Sequence, residues 1–261
     1  MKPTRLCAVP LLLLLLSLCA VGESSPRIIH VFVALADNAS QGIVPVSPML
    51  GNGEDPARNL YWGSAFGLKT FFSRSPDWKL LLSQKRLKPE VLERCVFKYL
   101  NADVYLVADA YRGREIQSAI LSFLDAAAGL GAERIKVNDG HREVILDAGR
   151  SSLLAYIGHD GLMDFPLPRT PRGNNDATRE AIVLACASKQ YFAQALRESG
   201  AFPLLWTTSL MAPEAYTLKS ALDGWIAGET KEQIRDRAAT AYAKYQKCGF
   251  NAAHKLMATG W

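Results

Sequence analysis

Short, almost continuously apolar runs alternate along the chain with segments of helical periodicity. Apolar runs of this kind occupy residues 28–35, 102–109, 152–158, 181–185 and 202–208, and amphipathic patterns follow four of the five. Strands in which both odd and even positions are apolar are typical of a sheet buried on both faces. Alternation of such strands with helices favours parallel pairing. We therefore expect an α/β fold with a mostly parallel sheet and helices on both faces.

The remaining segments carry weaker patterns. A polar stretch rich in glycine and proline at 36–56 predicts a long loop, and loops of this length often carry function. The polar segment around His141 shows no regular pattern. The other predicted elements are a helix at 57–72, a strand at 78–82, a helix at 88–100 with Pro89 in its first turn, and a helical tail at 231–256.

The first 22 residues have the features of a secretory signal peptide. Lys2 and Arg5 precede an apolar stretch of 17 residues, and small residues stand near Gly22 at the positions that a signal peptidase reads. We predict a signal peptide at 1–22, a single domain at 23–261, and export to the periplasm or the extracellular space. The alternative is an uncleaved anchor, for which 17 residues is marginal; after cleavage we expect no stable membrane insertion.

Composition narrows the classes of function. The chain is 49% hydrophobic and 21% charged, which is enough apolar material for one substantial core. Its net charge of +5 falls to +3 when Lys2 and Arg5 are removed, and no basic run with interleaved aromatics points to nucleic acid. Glycine-rich phosphate loops and metal-ligand spacings are missing from the sequence as well, so we expect no cofactor and no metal. His30, His141 and His254 are interpreted as structural or exposed.

Three cysteines remain after the predicted signal peptide. They are Cys95, Cys186 and Cys248, and an odd number in an exported protein leaves at least one thiol free or bridged to another chain. Cys95 and Cys248 could pair with each other, which would leave Cys186 alone.

Two stretches place reactive groups at the ends of neighbouring predicted strands. "YIGHDG" puts His159 after the strand at 152–158, and "IVLACAS" puts Cys186 after the strand at 181–185. Because parallel neighbours end at the same edge of a sheet, we expect the two side chains to meet there. An imidazole helps a thiol to form its nucleophilic anion and protonates the leaving group. Backbone amides at Gly161 and at the cysteine could bind the oxyanion.

An apolar strand ending in Gly-His, followed by another ending in Ala-Cys, resembles the caspase-hemoglobinase superfamily of cysteine peptidases. This group includes caspases, legumains, gingipains, separases and CHAT domains; the similarity covers about residues 152–238 and is closest to CHAT domains. It implies a three-layer caspase-like fold, His159 as the imidazole, Cys186 as the nucleophile and a peptide or protein substrate. It further implies that the loop containing Asp37 and Asn38 helps to build the substrate cleft, although both residue types are also common in turns and caps.

The chain departs from the family pattern at Asp160, which separates His159 from Gly161. The Asp160 carboxylate would disfavour a developing oxyanion beside it, or it would stabilise a protonated His159. Two functions are compatible with this pattern: an exported cysteine peptidase working through an acyl-enzyme, or an inactive caspase-like fold that acts as a binding or scaffold protein. A third is a ligand-binding module that uses Tyr61 and Trp62, although these aromatic residues also suit core packing.

Overall fold

The computed structural model describes residues 25–173 and 179–261. These residues form ten strands: β1 (Arg27–Ala34), β2 (Trp78–Lys85), β3 (Val91–Tyr99), β4 (Val104–Tyr111), β5 (Arg134–Asn138), β6 (Glu143–Asp147), β7 (Leu153–Ile157), β8 (Glu180–Leu184), β9 (Phe202–Thr207) and β10 (Met257–Ala258). Eight of them form one sheet in the order β10-β9-β8-β7-β1-β4-β3-β2, and the other two form a separate hairpin, β5-β6.

The centre of the large sheet is parallel and its two sides are antiparallel. Strand β1 pairs in parallel with β4 and β7, and β7–β8 and β8–β9 are also parallel pairs. Strands β2 and β3 run antiparallel on one side, and β10 runs antiparallel to β9 on the other. The prediction of an α/β fold with a large, mostly parallel sheet is confirmed.

Helices cover the sheet through two separate groups of core residues. Along β1, Val31 and Val33 belong to one hydrophobic cluster and Phe32 and Ala34 to another, because successive strand side chains point to opposite faces. The described α-helices are α1 (Leu68–Ser73), α2 (Ile116–Ala127), α3 (Ser188–Ser199), α4 (Ala215–Ile226), α5 (Lys231–Gln246) and α6 (Phe250–Leu256). Helices α4 and α5 contribute to the first cluster, and α2 and α3 to the second.

The segment predicted as a helix at 88–100 is instead strand β3. Its polar residues Glu93 and Arg94 would face solvent on a surface helix, yet each is only 2% exposed. Glu93 accepts hydrogen bonds from Trp62 and Ser83, and Arg94 binds Asp109 on the neighbouring strand. Pairing with β2 and β4 therefore overrides the local helical pattern, as tertiary context commonly does for strands.

Two other segments also differ from their predictions. The helix expected at 57–72 is limited to α1, because the preceding residues form turns in which Gly63 and Gly67 lie against backbone atoms that a Cβ would strike. The polar segment around His141 is the tip of the β5–β6 hairpin, whose strands alternate buried and exposed residues.

The predicted signal peptide at 1–22 lies outside the described residues. Within the described residues, no helix combines the length and the apolar character that a membrane crossing requires. The three cysteines there carry free thiols: Cys95 is buried in β3, Cys186 is half-buried and Cys248 is exposed after α5. Burial, with a smaller contribution from Glu93, raises the pKa of Cys95 to about 12, so this thiol is unreactive.

Candidate functional site

Strands β7 and β8 are adjacent and bring His159 and Cys186 to the same level of the sheet edge. Their parallel register ends at Ile157 opposite Leu184, and the Gly158 amide extends the ladder by donating to the Leu184 carbonyl over 3.3 Å. His159 and Cys186 each stand two residues beyond that last pair. The two consecutive strands therefore end at one carboxyl edge, and both residues stand just beyond it.

Cys186 lies beside the loop between β9 and α4. It is half-buried, and the loop between β9 and α4 contacts its sulfur: the Met211 amide donates to Sγ over 3.4 Å, and Sγ lies 3.6 Å from the Met211 carbonyl oxygen. The sulfur is also close enough to Tyr61 to contribute to the raised pKa of that phenol, whose main cause is burial. The thiol therefore contacts the backbone of Met211 and lies near the buried phenol of Tyr61.

The chain turns sharply after Cys186. Ala187 adopts the left-handed conformation, with φ 47° and ψ 30°, and α3 begins at the next residue. Non-glycine residues rarely take this conformation, which costs free energy and persists only when surrounding contacts fix it. Here the Ala187 amide donates to Ser209, and the Ser188 hydroxyl donates to the Val183 carbonyl. The turn holds the cysteine between a strand end and the positive end of a helix dipole.

The ring of His159 is held by Asp164. The residue is 8% exposed, and its Nε2 lies 2.6 Å from Asp164 Oδ2. Its carbonyl accepts hydrogen bonds from the Tyr156 hydroxyl and the Gly161 amide, which fix the backbone. With Nε2 bonded to a carboxylate, Nδ1 is the ring nitrogen left for proton transfer.

The sequence interpretation missed Asp164. It considered Asp160 as the acid that stabilises a protonated His159, whereas the ring contact comes from an acid five residues after the histidine. A single 3₁₀ turn, Gly161–Met163, brings Asp164 back toward the ring. The sequence feature that could have indicated Asp164 is an acidic residue only five positions after the histidine.

Asp160 has a different role in the structure. Its side chain is fully buried, with Oδ1 accepting from the Leu162 amide over 3.1 Å and Oδ2 without a partner among the described residues. Burial raises the pKa of this carboxyl to about 7, and the charge of Asp164 adds to the shift while the Leu162 hydrogen bond opposes it. Near neutral pH, Asp160 is therefore partly protonated and caps the 3₁₀ turn.

The amides around the pair differ in availability. The Gly161 amide donates to the His159 carbonyl over 3.1 Å, so it is already used. Within the described residues the amides of Asp160 and Cys186 donate to no acceptor. An oxyanion requires free backbone donors beside the nucleophile, and the amide of Cys186 itself is such a donor.

Asp37 and Asn38 are engaged in their own loop. Asp37 accepts hydrogen bonds from the Ala39 amide and the Ser40 hydroxyl, and Asn38 exchanges two hydrogen bonds with the backbone of Val46. Another residue of this loop, Gly42, lies beside the Asp164 carboxylate, where an added Cβ would stand 3.0 Å from Oδ1. The loop therefore borders the site through Gly42.

A fully buried asparagine anchors this loop and was not singled out in the sequence. Asn59 accepts from the amides of Ala36 and Tyr61 and donates to the carbonyls of Ala36 and Asn52. It thereby joins the end of β1 to the segment that carries Tyr61. Trp62 is fully buried and donates to Glu93, so its ring is a packing element and presents no surface to a ligand.

Three cavities are found away from His159 and Cys186. Cavities of about 880, 630 and 480 Å³ border neither His159 nor Cys186. The described residues contain no group of three His, Cys, Asp or Glu side chains that could hold a metal ion.

Comparison with known proteins gives no match: no family model, no curated protein and no solved structure is similar to the chain at a significant level.

Proposed function

We propose that the protein is an exported cysteine peptidase with a caspase-like, three-layer fold, in which Cys186 is the nucleophile and His159 the base. The observation that carries the proposal is the pairing of β7 with β8, since it puts both residues two positions beyond the same rung of the sheet. The resemblance of "YIGHDG" and "IVLACAS" to the caspase-hemoglobinase pattern supports the same roles.

The proposed reaction proceeds through an acyl-enzyme. His159 takes the thiol proton at Nδ1, and the sulfur of Cys186 attacks the peptide carbonyl carbon. The oxygen becomes an anion, which the amides of Asp160 and Cys186 stabilise. The imidazolium then protonates the departing amine as the C–N bond breaks.

Hydrolysis of the acyl-enzyme restores the thiol. His159 removes a proton from the attacking water, and returns it to sulfur as the thioester bond breaks. Asp164 keeps the ring oriented and stabilises its charged form through the 2.6 Å contact at Nε2. No cofactor takes part in this scheme.

The second candidate is an inactive caspase-like fold that binds or organises other proteins. It is favoured by the residue after the histidine, which is Asp160 where the family has glycine. The lining of the three cavities, which includes neither member of the pair, favours it as well. The ligand-binding module based on Tyr61 and Trp62 is disfavoured, because Trp62 is fully buried.

A thiol-directed peptide warhead distinguishes the two candidates. Since Cys248 is exposed and would also react, the experiment starts from the Cys248→Ser variant. We expect labelling at Cys186 that is lost in Cys186→Ala and falls at least about a hundredfold in His159→Ala, the usual size of a general-base contribution. Labelling of Cys186 that is indifferent to His159→Ala in a folded protein would favour the scaffold.

A further inference from the structure

The cavity of about 880 Å³ is a groove between three helices on one face of the sheet. Helix α4 forms its floor with Tyr216 and Lys219, since α4 packs against both α1 and α5. The segment that contains α1 supplies one wall, and α5 supplies the other. Volumes of about 300–1,000 Å³ are typical of small-molecule sites. Because neither His159 nor Cys186 lines the groove, a ligand bound there does not depend on the proposed peptidase activity.

Four aromatic rings form one end of the groove. The rings of Tyr216 and Tyr245 are stacked, with centroids 4.2 Å apart and planes at 7°. Phe66 meets both rings edge-on, at centroid distances of 5.9 and 5.2 Å, and Phe71 does so at 6.5 and 6.1 Å. Phe66 remains 41% exposed, so part of this aromatic surface is open to a ligand. Such a surface favours a ligand that carries a ring of its own, which can stack on it or meet it edge-on.

The acidic side chains of the groove already have partners. Four acids line it: Asp77 and Asp223 pair with Lys219, Glu229 with Arg237, and Asp236 with His254. Asp223 stands seven residues, or about 10 Å, further along α4 than Tyr216, and Asp236 stands nine residues, or about 13 Å, before Tyr245 on α5. Most of the negative charge is therefore paired and lies away from the aromatic end.

Two cations in the lining have no such partner. The guanidinium of Arg74 and the ammonium of Lys244 form neither an ion pair nor a hydrogen bond with another described residue. Lys244 Nζ lies 5.6 Å from the ring centroid of Tyr245, and Arg74 follows Phe71 by three residues, so each wall brings one open cation toward the aromatic end.

One further acid belongs to this neighbourhood. Glu214 accepts hydrogen bonds from the Tyr216 hydroxyl over 3.0 Å and from the Gln246 amide over 3.2 Å, and its side chain does not line the groove. It therefore leaves the positive charges of Arg74 and Lys244 open to a ligand.

We propose that this groove binds a small aromatic carboxylate. The ring of the ligand packs against Phe66 and Tyr245, and its carboxylate pairs with Lys244 and Arg74 on the two walls. A guanidinium and an ammonium both form charge-assisted hydrogen bonds with a carboxylate. An aromatic cation would place a third positive charge at this end of the groove, where no unpaired acid faces it.

Calorimetric titration of the whole protein tests the proposal, with phenylacetate and 1-naphthylacetate as probes. We expect at least one of them to bind saturably, and to bind at least about tenfold more tightly than its neutral amide, the corresponding arylmethylamine or acetate, because each of these lacks the charge or the ring. Binding should persist in Cys186→Ala, so a failure of this site and a failure of the proposed peptidase activity are distinguishable.

Lysine and arginine variants locate the bound probe. Arg74→Gln and Lys244→Gln should each weaken binding about tenfold, the usual effect of losing a charge-assisted hydrogen bond. The matched control is Lys247→Gln just after α5, which lies outside the groove lining and should leave the affinity unchanged. All three side chains are exposed, so the variants should unfold at the same temperature as the parent.

Three results would overturn the proposal. They are the lack of saturable binding with both probes, an amide or amine that binds as tightly as the acid, and parental affinity in either Arg74→Gln or Lys244→Gln. Phe66→Leu adds a measure of the aromatic contact: it keeps an apolar side chain but removes the ring, and it should weaken binding about three- to tenfold.

Discussion

Nε2 of His159 and Oδ2 of Asp164 lie 2.6 Å apart, although only five positions separate the residues in the chain. The 3₁₀ turn Gly161–Met163 makes this contact possible. The pair turns the dyad expected from the sequence into a candidate triad of Cys186, His159 and Asp164.

The role of Asp164 can be measured directly. Asp164→Asn keeps an acceptor but removes the charge that orients and stabilises the imidazolium, and we expect the rate of Cys186 labelling by a peptide warhead to fall about ten- to a hundredfold. Asp164→Glu should recover part of this loss, since it restores the carboxylate. If Asp164→Asn is labelled at the parental rate, Asp164 does not contribute to the reactivity of Cys186.

Asp160 should make stability depend on pH. Its pKa is about 7 in the folded protein, chiefly because the carboxyl is buried, and about 3.9 in an unfolded chain. The folded state thus binds more protons between these values, so the contribution of Asp160 to the free energy of unfolding is highest below about pH 4 and is lost as pH rises toward about 7. The fall should approach about 1.4 kcal/mol per pH unit.

Urea denaturation at several pH values checks this expectation. Asp160→Asn cannot titrate, so the difference between parent and variant isolates the contribution of this carboxyl from those of all other groups. A difference that is constant from pH 4.5 to pH 8 would mean that Asp160 is ionised in the folded protein at low pH.

The buried ion network should be costly to break. Asp109→Asn leaves Arg94 with one carboxylate and weakens the hold on His30, and we expect a loss of about 3–5 kcal/mol in the free energy of unfolding. The control is Asp125→Asn, which removes the exposed ion pair with Arg169 and should cost less than about 1 kcal/mol. Equal effects in chemical denaturation would show that burial of the network contributes little.

The loop after β1 should depend on Asn59. Asn59→Ala removes four hydrogen bonds from a fully buried site, so we expect a loss of about 3 kcal/mol in denaturation experiments. Asn52→Ala removes one side-chain contact, with the Glu54 amide at the surface, and should change stability by less than about 0.5 kcal/mol. A similar small change in both variants would contradict the anchoring role.

Much of the sheet could be predicted because its central strands are recognisable locally. The apolar runs that form β1, β4, β7, β8 and β9 are buried on both faces, so their apolar composition alone predicted them as strands. The same reasoning placed His159 and Cys186 after neighbouring strands. Their adjacency required only that consecutive strands with a crossover between them pair in parallel.

The remainder depended on contacts that no local pattern contains. Arg94 belongs to a predicted helix, and only its pairing with Asp109 on the next strand shows its role. Asn59 also belongs to a predicted helix, at 57–72, and only the backbone at the end of β1 supplies its partners. Asp164 stands close to His159 in the sequence, but its approach to the ring depends on how one turn closes. Such residues are identified only when both partners are known.

The left-handed turn at Ala187 restricts which amino acids the chain tolerates beside its candidate nucleophile. β-Branched side chains clash with the backbone at φ 47°, whereas glycine, asparagine and aspartate accept it. A randomised library at this codon, selected only for folded protein, would be depleted of valine, isoleucine and threonine. The backbone conformation would then restrict the residues tolerated at this position whether or not the protein cleaves peptides.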